Sequence, residues 1–164
     1  MARGAHAGFS RYQREYSLLT LMFETVAEVE SFMQDFEACR LPKVRWTHSA
    51  HLVAGFYYLS RHDMAQALDT IRSRIRNHNE SVGTTNTDSS GYHETITRLY
   101  MAAIAAHIVL HKALPFGRSL SILLASPLAT SDWPLRYYTR ERLFTAHARR
   151  NWVEPDLLSK GYFP

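Results

Sequence analysis

Residues 96–114 read ITRLYMAAIAAHIVLHKAL, a segment that is apolar on most sides when wound as a helix. A helix that is hydrophobic all round has to be enclosed, either by other elements or by lipid. A membrane span needs about 18–20 apolar residues in succession. The longest candidate here, 101–114, carries two His and a Lys, so lipid is disfavoured. The segment predicts a central, buried helix running from about residue 89 or 90 to Ala113, and the rest of the chain has to supply its partners.

Those partners show a helical period. Residues 25–40 place Val26, Val29, Phe32, Met33 and Phe36 on one face, and Leu41-Pro42 ends the run because a residue before proline avoids the helical region. A second helix is expected from Thr47, a good N-cap, to about residue 60. A third follows His62-Asp63, with Met64, Ala67, Leu68, Ile71 and Ile75 along one stripe. Residues 82–91 are rich in Gly, Asn, Asp, Ser and Thr and read as a loop. After the central helix, 119–126 reads as a short helix, and the tail as one or two more with irregular connections. No strand alternation stands out apart from a weak option at 17–23. The expected class is all-α: a compact single-domain bundle of four to five main helices plus short C-terminal helices.

Composition bounds what such a bundle can do. The chain has 164 residues, enough to bury one continuous core. Residues 17–164 are expected to form the helical domain, with 1–16 a flexible N-terminal arm and no secretory signal. Cys39 is the only cysteine, which excludes an intrachain disulfide and fits a reducing, cytoplasmic setting. At a helix end it is expected to be a small buried hydrophobe. The formal charge is +4, with a pI near 9.4. The arginines are dispersed, and the densest patches, 72–76 and 147–150, read as solvated helix faces. Specific nucleic-acid binding and membrane insertion are therefore not expected, and no nucleotide cofactor is indicated. A small-molecule substrate and self-association remain the open partner classes.

The chemistry-bearing residues lie at helix starts. His48 and His51, in WTHSAHL, are three apart and share a helix face. His93 precedes Glu94 in GYHET, in the opening turn of the central helix. A helix N-terminus disfavours protonated imidazole, and neutral imidazole is the form that binds metal. If the second and fourth helices are neighbours, His48, His51 and His93 converge on one divalent ion: zinc, iron or manganese. Three His with an open fourth position form a catalytic zinc-type ligand set. Glu94 would then be the catalytic base for a metal-bound water, in hydrolase or lyase chemistry on a small polar substrate. As a fourth ligand it would instead suit iron or manganese. The competing reading is a non-catalytic binding or interaction domain, in which the same residues form a buried hydrogen-bond network. His107 and His111 are four apart, and HxxxH resembles the metal motif of DinB-like bundles. His107 lies about 21 Å along the axis from His93 and cannot share its ion. Packing is the expected role of both.

Three separated segments carry a wider resemblance, over about residues 36–158. They are WTHSAHL, YHETIT, and a tail containing YY, HARR and WVEPDL. Together they are similar to a family of small uncharacterised bacterial helical proteins that share W-T-H-x-x-H, Y-H-E-T-[IL]-T and W-V-x-P-D-L. The resemblance implies no known activity. It does imply that His48, His51, His93 and Glu94 belong to one polar site, and that Tyr137, Tyr138, Arg142, Arg149 and Trp152 lie near its mouth as a substrate pocket.

Overall fold

The computed structural model describes Phe23 and residues 25–157. The expected arm at 1–16 and most of the apolar run at 17–23 lie outside these residues. The described chain is all-helical. Five main helices run α1 Val26–Glu37, α2 His48–Leu59, α3 Met64–Ser81, α4 Glu94–Leu110 and α5 Phe116–Leu124. Two short ones follow, α6 Arg140–Leu143 and α7 Ala146–Arg150, with 3-10 turns between. No strand occurs among the described residues, and none of their helices is long and apolar enough to cross a membrane.

Local chemistry sets the helix starts. Thr25 caps α1 in a reciprocal box: its hydroxyl accepts the Glu28 amide while the Glu28 carboxylate accepts the Thr25 amide. Thr47 and Asp63 accept the Ala50 and Gln66 amides at the starts of α2 and α3. α4 begins later than its apolar pattern suggests. His93 is outside the helix in an extended conformation and is itself the cap, its Nδ1 accepting the Ile96 amide at 3.3 Å. α4 also ends earlier, at Leu110, with His111 as its C-cap and Val109 and Leu110 exposed.

The core forms where α2 crosses α4, the most extensive helix contact in the described chain. Gly55 makes this approach close: a Cβ there would stand 2.8 Å from Ile104 Cδ1. Val53, Ala54, Leu99, Met101 and Ile104 fill the contact. α3 and α1 complete one side, α5 the other, and α7 packs against α4. On α1 the expected face is buried except for Val26, which is exposed. Met64 of the α3 stripe is likewise exposed. Cys39 is exposed rather than buried. It follows the end of α1 with φ of 55°, the left-handed geometry that terminates a helix and turns the side chain off its packed face.

The loop between α3 and α4 is pinned, although its composition is polar. Asn86 donates to the Arg76 carbonyl and the Glu80 carboxylate, and its Oδ1 accepts from Asn79 Nδ2 and the Tyr92 amide. Gly91, at φ of 73°, lies so close to Asn86 that a Cβ would meet its Oδ1 at 2.6 Å. This turn delivers Tyr92, His93 and Glu94 to the inner face of the bundle.

Candidate functional site

Each expected ligand is held by the backbone. His48 donates through Nε2 to the Leu128 carbonyl at 2.9 Å and packs edge-on against Tyr100. His51 donates through Nδ1 to the Thr47 carbonyl at 2.8 Å and lies on Trp46, ring centres 4.1 Å apart. His93 donates through Nε2 to the Leu143 carbonyl at 2.9 Å while Nδ1 caps α4. A carbonyl only accepts, so these bonds fix the tautomers. His48 keeps a lone pair on Nδ1 and His51 keeps one on Nε2. His93 keeps none.

Burial reinforces the neutral state. The His51 pKa is lowered to about 4 by desolvation, against the Thr47 bond, with repulsion from His48 and His78 adding to the effect. The His93 pKa is also lowered to about 4, first by burial, against the Leu143 bond, and further by nearby Arg149. His51 and His93 are thus neutral at pH 7, and the largest cause in each is burial.

Glu94 is 6% exposed and committed. Arg72 Nε donates to Oε2 at 2.9 Å and to Oε1 at 3.2 Å, and Arg72 Nη2 bonds Oε1 as well. The Tyr92 hydroxyl donates to Oε2 at 2.8 Å. Burial pushes the Glu94 carboxyl up, but the Arg72 and Tyr92 bonds outweigh it and hold the pKa below the usual range. This geometry differs from the expected metal centre. Among the described residues, no group of three or more His, Cys, Asp or Glu is arranged to hold a metal ion. His93 lacks a donor lone pair, and Glu94 faces a guanidinium. The residues do not fit the divalent ion expected of them.

The tail residues separate in the same way. Arg149 donates to the Gly91 and Tyr92 carbonyls at 3.0 and 3.2 Å and lines the cleft beside His93. Tyr138 is buried and donates to the Val153 carbonyl. Arg142 donates to the Glu154 carbonyl and Trp152 to the Glu154 carboxylate. Tyr137 packs on Trp133. These four bind within the tail, Trp152 also packing under Arg98 of α4, and do not line the cavities described below. His107 and His111 donate to the Ser119 and His107 carbonyls, which are packing roles.

Two of the cavities among the described residues share part of their walls. The inner one, about 290 Å³, lies between α2, α3 and α4 with a mostly aliphatic wall of Leu52, Ile71, Met101 and Ile104, and His48 at its edge. The outer one, about 490 Å³, is more polar, with Lys43, Trp46, Asn79, Tyr92, His93 and Arg149 on its wall. His51, Ile75, Ile96 and Thr97 line both, so these residues form the junction. Two features were not visible in the sequence. Trp46 Nε1–H is buried without an acceptor among the described residues. His78, 0% exposed on α3, has neither ring nitrogen paired among them and packs against Phe36 and Trp46. A buried polar group left unpaired costs about 1–3 kcal/mol, so such atoms mark places where packing is not the whole explanation.

The three sequence segments meet here. Trp46 and His51 line the outer cleft with Tyr92 and His93, His48 lines the inner chamber, and Thr95 binds the tail. Its hydroxyl donates to the Ala148 and Asn151 carbonyls and accepts the Val153 amide. In comparisons with known proteins, no family model, no curated protein and no solved structure matches the chain.

Proposed function

We propose that this chain is a helical small-molecule-binding domain whose ligand enters the paired cavities, with the His and Glu residues serving as a hydrogen-bonded frame. The observation that carries this reading is the junction. His51 stands between an apolar chamber and a polar cleft, neutral, oriented by Thr47, and with its Nε2 lone pair unspent. Binding sites are typically concave and mostly apolar, with a few placed polar groups, and this arrangement has that character. At neutral pH, Nε2 accepts a hydrogen bond from a ligand hydroxyl or amide. It is also the one imidazole nitrogen at the junction able to take a proton from bound substrate. The exposed, unpaired thiol of Cys39 is in keeping with a reducing, cytoplasmic setting.

Metal-activated hydrolysis is the weaker reading. It would require His93 to give up its bond to Leu143 or its cap, and Glu94 to leave Arg72. Both readings are tested on untagged protein. Amide NMR spectra would be followed while short-chain acids, alcohols and amides are added, and the same preparation would be analysed for metals. Shifts concentrated at His51, Ile75, Ile96 and Thr97 are expected. A panel that moves none of these residues would sink the cavity reading. A stoichiometric metal lost in His51→Ala would favour the metal reading in its place.

A further inference from the structure

We propose that the ligand is an amphipathic monoanion, a carboxylate on an apolar tail, with its head in the outer cleft and its tail in the inner chamber; this rests on the cavity reading above. The charge on the walls is one-sided. Lys43 and Arg149 line the outer cleft, and no Asp or Glu does. Neither cation has an ion-pair partner within 4.0 Å among the described residues. Arg149 spends Nη1 on the Gly91 and Tyr92 carbonyls, and its Nε and Nη2 have no hydrogen-bond partner among the described residues. A guanidinium in this state matches a carboxylate through two parallel hydrogen bonds. The nearest acid acting on it, Asp88, is itself held by Arg150 through Nε at 2.6 Å and through Nη2.

A second, independent observation concerns the tail. The inner chamber has no charged wall residue, and at about 290 Å³ it is larger than the ~150 Å³ cavity that accepts benzene. It shares His51, Ile75, Ile96 and Thr97 with the cleft. A head group alone would leave this chamber unused, and a tail alone would leave two cations unmatched.

Octanoate, 1-octanol and acetate separate these contributions when titrated calorimetrically into the full chain at neutral pH and moderate salt. Octanoate is expected to bind at least tenfold more tightly than either of the others. Arg149→Gln, which keeps an amide to serve the Gly91 and Tyr92 carbonyls, should weaken octanoate roughly tenfold or more and leave octanol unchanged, since bonds to charged groups are the strong ones. Lys43→Gln alters an exposed side chain with no bond among the described residues and should cost octanoate a few-fold, an effect that fades with salt. Thr97→Phe, plugging the junction, should abolish octanoate and octanol binding together. Equal affinity for octanoate and octanol, with neither Gln variant altering it, would overturn the anion assignment while the cavity reading stands. Acetate binding as tightly as octanoate, or Thr97→Phe binding octanoate like the parent, would overturn the tail placement. If none of the three probes binds, the cavity reading itself falls.

Discussion

At the scale of single residues, chemistry decides what each polar side chain is committed to. Glu94 looks like a proton acceptor in the sequence because it follows a histidine, but its charge is spent on Arg72 and Tyr92. Glu94→Gln removes one member of a largely buried pair and leaves Arg72 with Asp69 alone. Loss of one partner of such a pair costs about 3–5 kcal/mol when burial is complete. Because Arg72 stays partly solvated, a loss of about 1–3 kcal/mol is expected. Urea denaturation measures it, and an unchanged midpoint would show that the pair contributes nothing. His93 is legible in the sequence as a residue of interest but not in its actual role. Ser, Thr, Asp and Asn are the usual caps, so an imidazole capping α4 carries no sequence signal. Thr47 and Asp63 are readable because they belong to that set. The Trp46 and His78 nitrogens could not be foreseen, since pairing depends on which elements come together.

At the scale of elements, periodicity carries the fold and fails only at ends and in the tail. The stripes of α1 and α3 and the apolar girth of α4 are local properties, and they place the core correctly. The tail has no such period. Its path is set by long-range bonds to Thr95, His93 and the Gly91 and Tyr92 carbonyls, and the roles of Tyr138, Arg142 and Trp152 follow from that path. Thr95→Val keeps the shape but removes a hydroxyl that serves two carbonyls and one amide. The expected result is a loss of about 1–3 kcal/mol, with faster amide exchange across α7 and residues 151–153. Exchange rising uniformly instead would mean that the tail does not depend on this bond set. Gly55 marks the other element-scale constraint. Gly55→Val has to push Ile104 aside where α2 meets α4, and it is expected to lower stability by about 1–3 kcal/mol in thermal melts.

For the whole molecule, buried neutral histidines tie folding to pH. His51, His78 and His93 all have pKa values lowered from 6.5 on folding, to about 4 for His51 and His93. Between about 6.5 and 4 the unfolded chain therefore binds more protons than the folded one, and stability rises with pH across that window. Read downward, stability should begin to fall below pH 6.5 and go on falling toward pH 4. The His93 shift from 6.5 to about 4 makes this effect on the order of 3–4 kcal/mol, because each tenfold loss of proton affinity on folding is worth about 1.4 kcal/mol. Glu94 acts in the same direction lower down: its stabilisation is present above the ordinary glutamate pKa and disappears as pH falls through its lowered folded value. His93→Gln, which keeps a side-chain donor, should flatten the upper part of the curve. A midpoint indifferent to pH between about 7 and 5 would contradict the burial of these rings.

The frame itself is tested most directly by nitrogen-resolved NMR of the imidazole rings, recorded near neutral pH with and without one equivalent of zinc. His48 and His93 should each carry a proton on Nε2 and His51 on Nδ1, with His51 and His93 neutral, and zinc should leave the His93 signals in place. If His48, His51 and His93 instead shift together on stoichiometric zinc, with His93 surrendering its Nε2 proton or its cap, then the imidazoles are a ligand set and not a frame.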